Sequence, residues 1–149
     1  MLIATPTDWL RRNHLIEEDG KLVAEIDGSA WQEQASATVG TATYALYRET
    51  LFTATYVIRR AGQVVARARR QSIFSPQFDV TWGEQTLVLR RLSIWLPTFG
   101  VFKGYEQIGT IKRLGFLYRR GTVDGASSLP LEIRVFLLWI ALMTWRRSQ

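Results

Sequence analysis

The chain of 149 residues lacks cysteine altogether and contains a single histidine, His14. The absence of thiols excludes disulfide scaffolds, thiolate metal sites, iron–sulfur clusters and cysteine nucleophiles. His14 is then the only imidazole available as a general base, and we expect it to be a surface residue beside a turn. The sequence has no Gly-x-Ser-x-Gly elbow, no phosphate-binding glycine-rich loop and no calcium-loop pattern. We therefore expect no enzymatic activity, no metal and no cofactor.

Long hydrophobic runs are scarce as well. The longest, Val135–Met143, extends through Trp145 before Arg146 interrupts it. As a helix these eleven residues would rise about 16 Å, whereas a bilayer core is about 30 Å thick. The amino end has no apolar run of the kind found in signal peptides. We expect a single domain over residues 1–149 that does not span a membrane and is cytoplasmic, with a peripheral membrane location open.

The charge is strongly uneven along the chain. The net charge of +6 combines −4 over residues 1–49 with +10 over residues 50–149, and 16 of the 19 basic residues are arginine. Guanidinium groups suit phosphate because they donate paired hydrogen bonds, so an anion-binding surface is one interpretation. The other is an arginine-rich composition in which pairs occupy the ends of strands. The pairs are Arg59 with Arg60, Arg69 with Arg70, Arg90 with Arg91, Arg119 with Arg120, and Arg146 with Arg147.

Most of the chain has the two-residue periodicity of β-strands. Asp19-Gly20 and Ala61-Gly62 are tight-turn signals, and similar signals recur every 8 to 12 residues. In the strand after Ala61-Gly62, Ala66 and Ala68 are predicted to point inward, with Arg67 and Arg69 outward. The last strand is predicted at Gly115–Arg120. This spacing is typical of a barrel or sandwich, here with about ten to twelve strands.

The periodicity changes near the carboxyl end. Pro130 and Glu132 favour a helix start and Arg146 with Arg147 favour its end, which predicts one helix over Leu131–Arg147. Its middle is apolar on every side and must be surrounded by protein or lipid. A sheet closed around the helix satisfies this need and removes exposed strand edges. The fold class is therefore mainly β: a closed antiparallel barrel around a central hydrophobic carboxy-terminal helix.

This architecture and several segments resemble the tubby carboxy-terminal domain superfamily, most closely the LURP-one-related proteins and their bacterial relatives, which share a fold with phospholipid scramblases. The similar region spans about residues 41–147. Its segments are FTATYVIRRAGQVVARARR (Phe52–Arg70), FDVTWGEQTLVL (Phe78–Leu89), YEQIGTIKR with its Gly-Thr-Ile step, and SLPLEIRVFLLWIALMTWRR.

The resemblance implies binding of phosphoinositides or action at membranes, but no family site transfers residue by residue. Residues 120–130, where scramblases carry an acidic calcium-binding segment, contain only Asp124 as an acidic residue. The cysteine cluster that scramblases acylate is missing too. Calcium-dependent scrambling is therefore not expected from this chain.

Two classes of function remain open. The first is a non-enzymatic module that binds anionic phospholipid or phosphoinositide headgroups through Arg59, Arg67 and Arg69, which share an outer face if their strands pair. The second is a protein-interaction or small-ligand-binding barrel, in which a central helix would leave no room for a buried ligand. Nucleic-acid binding is a weaker alternative.

The tryptophans pose a similar choice. Trp82 and Trp139 lie on apolar faces and are expected in the core, whereas Trp9, Trp31, Trp95 and Trp145 are less clearly placed. For Trp95, which follows Arg90 and Arg91, core packing is the favoured interpretation and insertion into a membrane is the alternative.

Overall fold

The computed structural model describes residues 1–7, 12–28, 33–50, 54–72, 74–115 and 120–147. Within them the chain forms twelve β-strands followed by one α-helix. The strands are β1 Leu2–Pro6, β2 His14–Glu18, β3 Lys21–Gly28, β4 Gln34–Val39, β5 Ala42–Arg48, β6 Thr55–Arg60, β7 Gln63–Ser72, β8 Ser75–Trp82, β9 Gln85–Arg91, β10 Thr98–Lys103, β11 Glu106–Leu114 and β12 Arg120–Gly125, and the helix is α1 Leu131–Arg147.

The twelve strands close into one antiparallel barrel, as the sequence predicts. Each strand pairs with its neighbours in the chain, and β1 pairs with β12, with Leu2 opposite Val123 and Ala4 opposite Gly121. Closure leaves none of these strands with an unpaired edge, so the barrel has no exposed row of backbone donors and acceptors.

The up-and-down topology gives the barrel two different ends. Tight turns, beginning with Asp19-Gly20 and Ala61-Gly62, join the strands at one end, which we call the turn end. Asp19 and Ala61 adopt positive φ angles of 53° and 50° ahead of their glycines, as a type I′ hairpin turn requires. Longer connections, among them residues 92–97, lie at the opposite end, which we call the loop end. The helix begins at the turn end and finishes at the loop end.

The barrel encloses the helix. Residues on every side of α1, from Ile133 to Leu142, are buried except Arg134, which is partly buried. The helix touches opposite walls: the Trp139 ring lies 5.6 Å from that of Tyr56 in β6, whereas a Cβ at Gly121 in β12 would lie 2.8 Å from Leu138. The prediction of a central hydrophobic helix is confirmed.

Small side chains on the wall make room for the helix. Ala66 and Ala68 in β7 face the interior and are 2% and 0% exposed, whereas Arg67 and Arg69 between and beside them are exposed. A helix is about 10 Å wide with its side chains, so a wall of large inward residues would not accommodate it. The predicted alternation of β7 is confirmed.

Ion pairs attach the helix to the barrel near both of its ends. Arg134 in the first turns of α1 donates from Nη1 to Oε2 of Glu18 in β2 over 2.8 Å. Arg147, the last residue of α1, pairs with Glu33 beside β4. The helix therefore has a polar attachment at the turn end and another at the loop end, with its apolar length between them.

Two predictions about local structure are wrong or need correction. The last strand described, Arg120–Gly125, was not predicted, and the predicted strand Gly115–Arg120 falls mostly on residues 116–119, which lie outside the described part of the chain. His14 is 4% exposed, because it precedes Ile16 by two residues on β2 and shares its inward face. It is a residue of the barrel wall and not a surface histidine.

Candidate functional site

The connection between β9 and β10 exposes three large apolar side chains at the loop end. Ile94, Trp95 and Leu96 are 79%, 85% and 61% exposed. Single exposed apolar residues are normal on a protein surface, whereas three consecutive ones are not. The favoured prediction of core packing for Trp95 is therefore wrong, and its insertion into a membrane stays a prediction.

Hydrogen bonds hold this connection in a defined shape. The Leu92 amide donates to the Thr98 carbonyl over 2.9 Å and closes the loop at its base. The Trp95 amide donates to Oγ of Ser93 over 3.1 Å, a local turn that serine side chains favour. Arg91 reaches the Ile94 carbonyl from Nη2. The apolar side chains are thus presented by a hydrogen-bonded loop.

The neighbouring connection, between β7 and β8, repeats this arrangement. Phe74 is 89% exposed, and its amide donates to Oγ of Ser72 over 3.1 Å. The sequence carries the same signal twice, as Ser-Ile-Phe-Ser-Pro over 72–76 and Ser-Ile-Trp-Leu-Pro over 93–97. This repeated Ser-Ile-aromatic-x-Pro pattern is the sequence signal that could have identified the two loops, because two-residue periodicity does not distinguish them from strands.

The two connections lie side by side on the rim of the barrel. Strands β8 and β9 are hydrogen-bonded, with Gln77 opposite Arg90, so the chain leaves the sheet at adjacent places on either side of this pair. Neighbouring strands are about 4.8 Å apart. We call Phe74, Ile94, Trp95 and Leu96 the apolar tip.

Arginines belonging to strands β7, β9, β11 and β12 flank the apolar tip at the same end of the barrel. Arg90 lies on the outer wall, with its guanidinium 4.3 Å from the centroid of the Phe102 ring. Arg120 is exposed at the start of β12. We call the following residues the arginine collar: Arg70, Arg90, Arg91, Arg113 and Arg120.

Two carboxylates at the loop end already have cationic partners. Glu33 pairs with Arg147 and, over 3.6 Å, with Arg48, while Glu49 pairs with Arg67 over 3.2 Å. Both carboxylates belong to the β4–β6 side of the barrel, away from the apolar tip. On the strands that carry the tip, Asp79 of β8 accepts hydrogen bonds from Gln71, so the surface beside the tip combines apolar side chains with several arginines and a carboxylate.

The predicted anion-binding residues Arg59, Arg67 and Arg69 lie elsewhere, on the side wall formed by β6 and β7. All three are exposed on the outer face. Arg67 is engaged by Glu49, and Arg69 stands opposite Asp79 of β8. We call these three the side-wall trio. Their joint contact with one phosphate group stays a prediction.

The other tryptophans divide between core and undescribed segments. Trp139 and Trp145 are 2% and 4% exposed, and the Trp145 ring lies 6.3 Å from that of Phe99. Trp82 is partly buried and packs against the core. Trp9 and Trp31 lie outside the described residues.

A polar cluster at the loop end joins the helix to the wall. Glu33 accepts a hydrogen bond from the Tyr56 hydroxyl over 3.1 Å in addition to its two arginine partners. Burial, and then the nearby Glu33 carboxylate, raise the pKa of Tyr56 to about 12. The phenol is therefore neutral at physiological pH and acts as a hydrogen-bond donor in the barrel wall.

The described residues contain neither a membrane-spanning helix nor a metal-binding cluster. No helix there has the length and apolar character needed to cross a bilayer. The same residues contain no group of three or more histidine or carboxylate side chains placed to hold a metal ion.

No family model, curated protein or solved structure matches the chain. The tubby-like resemblance therefore stays a prediction that rests on the sequence segments described above.

Proposed function

We propose that this protein is a non-enzymatic module that binds anionic phospholipid surfaces through the loop end of its barrel. The observation that carries the proposal is the apolar tip, with Trp95 at 85% exposure, beside the arginine collar. Stable membrane association takes two signals, and an apolar insertion combined with a basic patch is one such pair. The resemblance to tubby-like and scramblase-like proteins points to the same class of ligand.

The two contributions have suitable magnitudes. Burying a large apolar side chain is worth about 1.5–3 kcal/mol, and each arginine near an anionic membrane adds about 1 kcal/mol. A micromolar dissociation constant corresponds to about 8 kcal/mol. Partial insertion of the four residues of the apolar tip, with several collar arginines at the headgroups, is sufficient for an interaction of that strength.

Flotation with phosphatidylcholine vesicles, with and without phosphatidylserine, tests the proposal. Wild-type protein is expected to float with the acidic vesicles and stay behind with the neutral ones. The double variant Phe74→Ser, Trp95→Ser is expected to lose most of the binding, because it removes both aromatic residues from the tip. Tyr105→Ser is the matched control, since Tyr105 is a fully exposed aromatic residue at the turn end.

A second pair of variants locates the headgroup contacts. Replacing Arg90, Arg113 and Arg120 by glutamine removes three positive charges from the collar, and replacing the side-wall trio by glutamine removes the same number from the side wall. Insertion through the tip requires the first variant to weaken flotation more. A larger loss from the second variant would move the headgroup site to the side wall, which is where the sequence predicts it.

Further results distinguish a specific headgroup, a protein partner and a nucleic acid as the ligand. Vesicles containing a phosphoinositide, matched in total charge to the phosphatidylserine vesicles, distinguish a specific headgroup from a general acidic surface. If the wild type ignores acidic vesicles even at low salt, the membrane proposal fails. The apolar tip is then best explained as a contact for a protein partner, and a gel-shift assay tests the weaker nucleic-acid alternative.

A further inference from the structure

A groove of about 570 Å³ runs across the outer wall of the barrel over strands β3 to β6. Four of its lining residues form one row of cross-strand partners. Asp27 is opposite Ser36, Ser36 is opposite Ala45, and Ala45 is opposite Arg59. The groove is shallow and largely open to solvent, so a ligand bound there would stay partly exposed. This groove is distinct from the apolar tip, although Arg59 belongs both to its lining and to the side-wall trio.

The groove exists because the outward side chains in its middle are small. Ser36 in β4 and Thr43 and Ala45 in β5 line its floor. Larger side chains bound it, including Arg59, whose guanidinium lies 5.9 Å from the centroid of the Tyr47 ring. The floor offers hydroxyl groups, and the strands beneath it fix their spacing.

The two ends of the row carry opposite charges that the described part of the chain leaves without ion-pair partners. Asp27 and Arg59 occur in none of the salt bridges found there, whereas Arg48, Arg67, Arg134 and Arg147 each have a carboxylate. Three strand spacings separate the Cα atoms of Asp27 and Arg59, which is about 14 Å. The groove is therefore bipolar along its length.

We propose that this groove binds a short extended peptide with free termini, the peptide carboxylate on Arg59 and its ammonium group at Asp27. Extended chain spans at most about 3.3–3.6 Å per residue, so about four residues cover the distance. A single amino acid is too short to reach both charges. Arginine suits the carboxylate because its planar fork donates two parallel hydrogen bonds, and the hydroxyls of Ser36 and Thr43 are available to the peptide backbone between the ends.

Titration of the isotope-labelled protein with tetraalanine, followed by backbone amide NMR, tests the proposal. Shifts are expected at Ser36, Thr43 and Ala45, the residues of the groove floor. Tetraalanine blocked by acetylation at its amino end and amidation at its carboxyl end is expected to bind at least about tenfold more weakly, because both charged contacts are removed. Equal shifts from free and blocked peptides would overturn the proposal.

Variants of the two charged residues give an independent readout. Arg59→Gln and Asp27→Asn are each expected to raise the dissociation constant of tetraalanine about tenfold or more. Arg69→Gln is the control for the first, since Arg69 is exposed on the outer face of the neighbouring strand β7 and does not line the groove. Glu25→Gln is the control for the second, because Glu25 is exposed on the same strand two residues away.

A third variant fills the groove without changing its charge. Ala45→Phe places a ring on the exposed floor and is expected to abolish the shifts while leaving the thermal unfolding midpoint near that of the wild type. Retained binding in Ala45→Phe, or unchanged binding in both charge variants, contradicts the proposal. None of these peptide results depends on whether the protein floats with vesicles, so this proposal and the membrane proposal fail separately.

Discussion

Glu33 is the residue at which the barrel wall and the end of the helix meet. Its carboxylate contacts Arg48 of β5, the Tyr56 hydroxyl of β6 and Arg147 of α1, and its side chain is 22% exposed. Removing one partner from a partly buried polar cluster leaves the other groups unsatisfied. Glu33 therefore attaches the end of the helix to the wall through directional polar contacts, which the apolar packing does not provide.

Glu33→Gln is expected to lower the free energy of unfolding by about 1–3 kcal/mol, because two arginines lose their counter-charge in a partly dehydrated place. Urea unfolding measures the change. Glu49→Gln is the matched control, since the Glu49–Arg67 pair is more exposed, at 40% and 48%, and such pairs contribute at most about 1 kcal/mol. If both variants lose the same free energy of unfolding, the Glu33 cluster contributes no more to stability than an exposed ion pair.

The raised pKa of Tyr56 predicts that the protein loses stability at alkaline pH. Its pKa in the folded protein is about 12, above the usual tyrosine value of 10.0. The unfolded chain therefore releases this proton first, and the stabilising contribution, complete below pH 10.0, is lost as the pH rises to about 12. The slope from this one group is at most about 1.4 kcal/mol per pH unit.

Urea unfolding of the wild type, Tyr56→Phe and Tyr105→Phe between about pH 8 and pH 12 isolates this contribution. Tyr56→Phe is expected to have a shallower pH dependence above pH 10.0, the value at which the unfolded tyrosine ionises. Tyr105→Phe is expected to follow the wild type, because Tyr105 is fully exposed. Parallel profiles for all three proteins would contradict the raised pKa.

At the scale of elements, the helix and the wall must match in volume. Strand β7 shows this most clearly, since Ala66 and Ala68 alternate with exposed arginines and leave space for α1. The helix in turn has no polar face for solvent: its buried residues include neighbours in sequence from Val135 to Leu142. Without the other element, both the helix and the inner face of the wall would expose apolar side chains to water.

Ala68→Leu is expected to lower the free energy of unfolding by about 1–3 kcal/mol, because the added carbon atoms overpack a fully buried position beneath the helix. The same substitution at Ala45, which is exposed on the outer wall, serves as the control and is expected to change stability little. Chemical unfolding compares the two variants. If Ala68→Leu unfolds with the same free energy as the wild type, the helix does not pack tightly against Ala68.

Leu138→Asp is expected to prevent folding. Leu138 is completely buried, and an unpaired charge there costs several kcal/mol of a total stability of about 5–15 kcal/mol. Circular dichroism and size-exclusion chromatography report the loss. Leu138→Met, which nearly conserves the volume, is expected to fold, and cooperative unfolding of Leu138→Asp like that of the wild type would be inconsistent with an enclosed helix.

At the scale of the whole molecule, the two ends of the barrel differ in chemistry. The loop end carries the apolar tip and the arginine collar, whereas the turn end mixes carboxylates and cations near its tight turns: Glu18, Asp19, Glu84, Glu106 and Asp124 with Lys21, Arg60 and Lys103. Antiparallel up-and-down topology produces this division, because every second connection falls at the same end. The protein therefore has one end suited to an anionic surface.

Binding to acidic vesicles is expected to weaken steeply with salt. The Debye length falls from about 30 Å at 0.01 M to about 3 Å at 1 M ionic strength, which screens the collar arginines from the headgroups. Flotation across this range measures the effect, with the thermal unfolding midpoint as the control for folding. Binding that stays constant across the range would assign the attraction to the apolar tip alone.

Local sequence signals determined the elements that depend on near neighbours. Asp19-Gly20 and Ala61-Gly62 specify hairpins because positive φ angles at a two-residue turn are a local requirement. Pro130, Glu132 and the terminal arginines specify the bounds of α1 in the same way, and its all-round apolarity demanded an enclosing sheet. The closed barrel around a helix follows from these patterns.

Tertiary structure alone decided what depends on residues distant in the chain. The pairing of β1 with β12 joins segments more than a hundred residues apart, and the Arg120–Gly125 strand lacks a strong apolar alternation of its own. Trp95 is exposed because it lies in a connection at the rim of the barrel, and His14 is buried because β2 directs it inward. Hydrophobicity is a property of one residue, whereas the exposure of a residue depends on how the whole barrel closes. The apolar tip and the bipolar groove therefore form only when the strands are assembled.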